Sequence, residues 1–327
     1  MNILSFLLCL FVCWNLTAQE VPNRWEFSHP QMGTTFRVVV ISPDSVRAAE
    51  EVSAVFRWLD SLNQSLSDYL PHSELSELMR RSGSRQLLSV SDQLLEVLQE
   101  ARAIAEASSG AFDPTIGPLS QVWRRAFRRA EFPEFDRVAE ARTRVDFNAL
   151  VLVPDSQGIR LLMDHMQLDL GGIAKGYAAQ QMLDRLMARG FPHVLVDAGG
   201  DLAIGFPPPG KPGWAVLPLW PDDNLEPIYV SNTAIATSGD SFQYLEWEGQ
   251  RYSHIIDPRS GYGVSKQRLV TVQTSSGSQA DALASLVNVL GGDAFPIAER
   301  IAGDEDLQIW LWENTPKGWI LVEFSNM

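Results

Sequence analysis

The chain alternates short apolar runs, rich in β-branched residues, with longer stretches in which apolar side chains recur every three or four positions. Residues 36–41 read as a strand. Asp44 is placed to cap the helix that follows, where Val52, Val55, Phe56, Leu59 and Leu62 fall on one face. A turn at 69–72 leads into a short helix over 73–80. Ser91 or a neighbour opens another helix, with Leu94, Leu98, Ala101 and Ala105 on one side and Gly110 beyond its end. Strands are expected at 151–153 and 159–163, then a helix from Gly172 to Gly190 carrying Leu183 and Leu186. A strand at 193–196 follows, and then a proline-rich loop at 206–212, which cannot supply ladder donors. Further strands are expected at 214–219, 228–230, 252–256 and 269–273. A helix over 278–290 stops at Gly291-Gly292, and 307–312 with 319–322 make a closing strand pair. No internal repeat or long polar linker divides the chain. The pattern predicts an α+β fold of mixed sheets with flanking helices, one catalytic-sized domain over 19–327, and room for a compact insert or subdomain at 146–164.

The amino terminus changes the picture. Residues 1–18 carry no charged side chain and are almost wholly apolar, and the chain turns polar from Glu20. The run is short for a membrane span, and Thr17-Ala18-Gln19 offers a small residue for cleavage. It departs from an ideal signal in lacking Lys or Arg and in having Leu16 three positions before the cut. Val12 before Cys13 and Leu8 before Cys9 are too large for a lipoprotein box. The expectation is a cleaved secretory signal leading to the periplasm, with an uncleaved membrane anchor as the alternative. Both cysteines, Cys9 and Cys13, lie inside it, so the mature chain would have no disulfide, thiolate metal site or cysteine nucleophile. At 327 residues and 45% hydrophobic content, a core without disulfides is affordable.

Charge narrows the partners. Lys and Arg number 26 against 40 Asp and Glu, a net charge of −14, which argues against nucleic acid or anionic lipid. The one basic run, Arg124, Arg125, Arg128 and Arg129 around Trp123 and Phe127, has helical spacing and reads as a solvated helix face.

Candidate chemistry lies in separated clusters. Asp169-Leu170-Gly171-Gly172-Ile173-Ala174-Lys175-Gly176-Tyr177 joins a strand to a helix. Glycines there allow close backbone approach, and a helix N-terminus with a Lys suits a phosphate. A tight packing turn is the other reading of that stretch. It matches neither the Walker loop nor the dinucleotide glycine spacing. Gln31-Met32-Gly33-Thr34 is a turn, more commonly packing than contact. Ser109-Gly110-Ala111-Phe112-Asp113-Pro114-Thr115 is a structured loop. Ala236-Thr237-Ser238-Gly239-Asp240 precedes His254-Ile255-Ile256-Asp257-Pro258-Arg259, where a strand delivering His254 and a turn carrying Asp257 and Arg259 would suit a polar wall. A lone strand histidine is more often a satisfied structural group. Asp281 and Ser285 stand at i and i+4 on one helix face, hard oxygen donors suited to Mg²⁺. Taken singly, a macrodipole-stabilised Asp with a small Ser packing behind it is the stronger reading of the pair. No G-x-S-x-G elbow, H-E-x-x-H or C-x-x-C is present.

Taken in order, these clusters, with Ser67-Asp68-Tyr69 ahead of Ser73-Glu74-Leu75-Ser76, resemble the ApbE-type FAD:protein FMN transferases, a family formerly described as thiamine-biosynthesis lipoproteins. The resemblance runs from Met32 to Gly291. It implies a secreted Mg²⁺-dependent enzyme that binds FAD in a cleft and moves FMN to a Thr or Ser hydroxyl of an acceptor flavoprotein, releasing AMP; that acceptor could be membrane-bound. By similarity, Met32, Tyr69, Ala111, Phe112, Asp113, Asp169 and Lys175 would line the FAD site, with His254 and Ile255 closing it near the reacting phosphates. The Gly172 carbonyl, Asp281 carboxylate and Ser285 hydroxyl would hold the metal. His254, as a neutral imidazole, is the candidate to assist proton removal. Four departures bear on pocket shape: Ser285 for the usual Thr, Met79 for Asn, Gln180 for Asp, and Arg124-Arg125 where an aromatic residue and Gly usually follow Trp123. Two other readings stay open: FAD hydrolysis to FMN and AMP, and a secreted flavin-binding protein without turnover.

Overall fold

The computed structural model describes residues 23–84, 86–221, 226–239 and 243–326. The expected signal at 1–18, with Cys9 and Cys13, and Asp240 of the third cluster lie outside them.

Eight strands form one sheet in the order Asn23–Gln31, Thr34–Ser42, Val194–Ala198, Leu202–Ile204, Thr233–Gly239, Arg268–Thr274, Gln308–Thr315, Gly318–Ser325, with every neighbouring pair antiparallel. Alternation along Thr34–Ser42 sorts its side chains. Phe36, Val38 and Val40 face the main core, whereas Val39 and Ile41 join a smaller cluster with Trp214, Val216 and Ile235. The main core is closed by the helix Ser45–Leu66 through Val52, Val55, Leu59 and Leu62. Asp44 caps that helix by accepting the Arg47 N–H at 2.9 Å, and Ser91 caps Asp92–Ala107 from the Leu94 N–H.

Two further helices cross over the sheet, Ala174–Ala188 and Gly277–Leu290. They meet backbone to backbone. A Cβ on Gly176 would lie 2.0 Å from the Gly277 carbonyl oxygen, and one on Gly277 would lie 2.3 Å from the Gly176 oxygen. Only glycine at both positions allows this approach, and it brings the starts of the two helices together.

A third unit is built from aromatic rings. Helices Gly117–Arg129 and Phe135–Arg142 pack against the hairpin of Tyr244–Trp247 and Gln250–Ser253. Trp123 is buried among Phe127, Phe132, Tyr252 and Tyr262, and its indole N–H donates to the Gly261 carbonyl at 2.8 Å. Residues 146–164 contribute Leu150–Val153 and Gly158–Leu161 to a three-stranded sheet with Leu88–Ser89, packed on the main core through Leu150, Ile159 and Leu161. The strand expected at 214–219 stops at Val216, and Leu217 and Leu219 are exposed. That expected over 252–256 is instead the end of Gln250–Ser253 followed by the short strand Ile256–Asp257. No helix among the described residues is long and apolar enough to cross a membrane.

Candidate active site

The sheet, the crossed helices and the aromatic unit enclose a cleft of about 410 Å³, within the span of roughly 300–1,000 Å³ usual for small-molecule sites. Its lining draws together Tyr69, Ala111, Phe112, Asp113, Asp169, Gly172, Lys175, His254, Ile255, Asp281 and Ser285, eleven residues from segments far apart in sequence. Met32 is the exception among the expected contacts. It sits at the hairpin turn between the first two strands, with φ of 51°, and packs against the main core outside this lining.

The floor is the strand-to-helix loop. Asp169 takes the Gly171 N–H on Oδ1 at 2.9 Å, which shapes the loop as an Asx turn. The Leu168 N–H ahead of it donates to the Met79 sulfur, so this methionine supplies an acceptor where the related pattern has Asn. Ile173, the residue before the helix Ala174–Ala188, supplies no side-chain cap, and Gly171, Gly172 and Lys175 around its start line the cleft. A cation at a helix N-terminus opposes the macrodipole. Lys175 is held there by two carboxylates, pairing with Asp201 and lying 3.8 Å from Asp281 Oδ2. Burial works to lower its pKa, but the two acids outweigh it and keep the ammonium charged above its ordinary range. Burial and the neighbouring Asp281 charge push Asp201 up to about 7.

Along the opposite side runs the helix Gly277–Leu290, presenting Asp281, Ser285 and Val289 on successive turns. Asp281 is buried and accepts the Gly176 N–H at 3.1 Å, tying the two helices at their crossing. Gly172 lies against Ser285: a Cβ there would be 3.1 Å from the Ser285 hydroxyl and 3.4 Å from the Phe112 ring. Among the described residues no three His, Cys, Asp or Glu side chains gather as a metal site. The donors on offer are instead one carboxylate, one hydroxyl and a nearby backbone carbonyl, all oxygen. That set fits Mg²⁺, which keeps several waters and shares substrate phosphates.

The outer wall holds what the linear pattern hides. Arg124, in the run expected to be a solvated face, turns into the cleft. It pairs with Asp68 and, at 2.8 Å, with Asp169, and its guanidinium lies 4.3 Å from the Tyr69 ring centre. Burial and the Asp169 charge raise Asp68, while Asp169 and Asp68 hold Arg124 above its ordinary value against the effect of burial. The signal available in sequence was Trp123: with Leu119, Trp123 and Ala126 inward, Arg124 falls at the edge of the buried face. Arg125, Arg128 and Arg129 are exposed as expected.

Asp113 is buried, accepting both the N–H and hydroxyl of Thr115 at 2.7 Å, and burial raises its pKa despite those bonds. At the mouth, His254 is exposed, with Nδ1 3.2 Å from the Gln243 carbonyl. A carbonyl oxygen can only accept, so Nδ1 is the donor in that contact. Asp257 and Arg259, expected on the polar wall, instead bind each other through two side-chain hydrogen bonds, 2.9 and 2.8 Å long, in the turn beside the cleft.

The family model described as the ApbE family matches residues 32–306. The chain belongs to the ApbE family. It is 33% identical over 290 residues to the FAD:protein FMN transferase of Treponema pallidum, covering 81% of this chain and 79% of that one. It is 28% identical to the Haemophilus influenzae protein of the same name, over 99% of this chain and 96% of the other. The solved flavin transferase ApbE from Vibrio cholerae superposes with a TM-score of 0.79 at 27% identity, covering 93% of this chain and 97% of that one. The cleft is thus set in the α+β scaffold of a flavin transferase family.

Proposed function

We propose that this chain transfers FMN from FAD to a Thr or Ser hydroxyl of an acceptor protein, releasing AMP, with Mg²⁺ as the metal. Membership of the family supports flavin transfer from FAD to a protein. The observation that carries the finer reading is the convergence of Lys175 and the Gly172, Asp281 and Ser285 oxygens on one cleft. A diphosphate carried with a divalent cation is the ligand that such a set of charges and oxygen donors suits. The aromatic and apolar side, with Tyr69, Phe112 and Ile255, suits a flattened ring system.

The Gly172 carbonyl, Asp281 carboxylate and Ser285 hydroxyl would hold Mg²⁺. When bound, the metal would supply Lewis-acid charge withdrawal at the diphosphate and at the departing AMP phosphate. Lys175 adds a fixed positive charge to the same phosphates. The acceptor hydroxyl oxygen forms a bond to the FMN phosphorus, the bond from that phosphorus to the bridging oxygen breaks, and AMP departs with that oxygen. The hydroxyl proton passes to His254 Nε2 at the cleft mouth and on to solvent. The apolar segment at 1–18 supports action beyond the inner membrane, on a periplasmic or membrane-held acceptor.

The reading is tested by incubating the protein with FAD and Mg²⁺, with and without a Thr-containing acceptor, and following AMP and acceptor mass together. Transfer predicts acceptor-dependent AMP and an acceptor heavier by one FMN less water. AMP released at the same rate without acceptor, and no flavin on it, would make the protein an FAD hydrolase. Flavin binding with no AMP at all would make it a binding protein.

A further inference from the structure

A second groove, of about 890 Å³, adjoins the cleft and shares Tyr69 and Arg124 with it as a common wall. One side is the exposed face of the helix Gly117–Arg129, where Arg125, Arg128 and Arg129 stand at i, i+3 and i+4. Like charges at that spacing repel one another. None of the three joins an ion pair among the described residues, although acids outnumber bases in the chain by 40 to 26. The groove's own acids are mostly committed: Glu134 faces Arg137 at 3.9 Å, Glu140 pairs with Arg144, and Asp68 with Arg124. Six arginines meet four carboxylates there (Asp68, Glu131, Glu134, Glu140), so the groove is net positive in a molecule of net charge −14. The macrodipole accounts for Arg128 and Arg129 in the last helical turn, but not for Arg125 or for a concave surface floored by Phe132 and Pro133.

We propose that this groove seats an acidic stretch of the acceptor polypeptide, flanking the hydroxyl that enters the cleft past Tyr69 and Arg124. The inference rests on the transfer reading of the cleft. A polypeptide is favoured over a membrane or nucleic acid because the positive charge is concave and opens onto the site where a protein side chain must react. The surrounding acidic surface repels a large polyanion, whereas a short acidic segment meets only the groove.

Three fluorescent peptides share one central Thr and differ in flanks of Asp and Glu, Asn and Gln, or Lys and Arg. Anisotropy with the FAD-bound protein should show the acidic peptide binding at least about tenfold more tightly than the neutral one, with the gap closing as salt rises. The triple variant Arg125→Glu, Arg128→Glu, Arg129→Glu should lose that preference and gain affinity for the basic peptide, with FAD binding unchanged by flavin fluorescence. The single variant Arg125→Gln, which leaves the last-turn charges in place, should give a smaller loss in the same direction if the triple variant misfolds. Equal binding of the three peptides, or a preference insensitive to both variants, overturns the proposal. So does arginine-dependent binding of phosphatidylserine vesicles without any of the acidic peptide. Peptide mass separates the two readings. Acidic-peptide binding without FMN addition sinks the transfer reading and keeps the groove. FMN added equally to all three peptides keeps the transfer reading and sinks the groove.

Discussion

Two cations in the lining of the cleft, Lys175 and Arg124, each lie between two carboxylates, and the two triads are built in opposite ways. Lys175 lies between Asp201 and Asp281 at the crossing of two helices whose backbones touch through Gly176 and Gly277. Arg124 lies between Asp68 and Asp169, side chains from a helix end, an exposed helix and a loop, braced by the Tyr69 ring. The first is fixed by main-chain contact, with Asp201 and Asp281 the more deeply buried acids; the second is held by side chains, and the two cations are about equally exposed. The difference teaches where precision is needed. On the proposed reading, charge neutralisation at a diphosphate tolerates little displacement, and its donors would sit where the two helix backbones touch. Ring and partner recognition can rest on side chains that adapt.

The aromatic unit supporting the outer triad is expected to show the largest change. Trp123→Ala removes a ring that is 1% exposed together with its bond to Gly261, and should cost about 3–5 kcal/mol in denaturant unfolding. Next, Asp281→Ala should lower Mg²⁺-dependent transfer by on the order of 10²–10³-fold with the circular dichroism unchanged. Full activity in that variant would remove Asp281 from the chemistry. Gly176→Ala forces a Cβ to 2.0 Å from a backbone oxygen and should cost about 3 kcal/mol, read as a lower unfolding midpoint. An unchanged midpoint would show that the crossing is not rigid. Arg124→Met keeps the stem over Tyr69 but loses both ion pairs. It should raise the KM for FAD about tenfold with kcat little changed, equivalent to roughly 1.4 kcal/mol. An equal loss in kcat would put the outer triad into the chemistry and erase the contrast.

The subtlest effect is in pH. Because burial and Asp281 raise Asp201 from 3.8 to about 7, the folded chain holds a proton there that the unfolded chain has lost. The stability from this site is therefore full below pH 3.8 and declines as pH rises towards 7. Thermal unfolding in EDTA should show Asp201→Asn flattening that decline. An identical slope in both proteins would mean that Asp201 ionises normally.

The same contrast governs what could be read in advance. Residues tied to backbone demands leave local signatures: Asp44 and Ser91 at helix starts, and the Gly171 to Gly176 loop, each standing where the pattern puts it. Asp281 and Ser285 share a face because helical period alone requires it. Arg124 could not be assigned that way. Its partners lie 56 and 45 positions distant, and its neighbours Arg125, Arg128 and Arg129 do face solvent. Trp214–Val216 ends early: among the described residues its strand pairs with Ile228–Val230 alone, and Pro218 just beyond it has no N–H to carry a ladder on.

Anomalous diffraction from crystals soaked with FAD and Mn²⁺ in place of Mg²⁺ puts the inner site to the most direct test. One strong peak is expected, coordinated by the Asp281 carboxylate, the Ser285 hydroxyl, the Gly172 carbonyl and diphosphate oxygens. A peak between Asp68 and Asp169, or a bound diphosphate with no cation beside Asp281, would contradict that assignment.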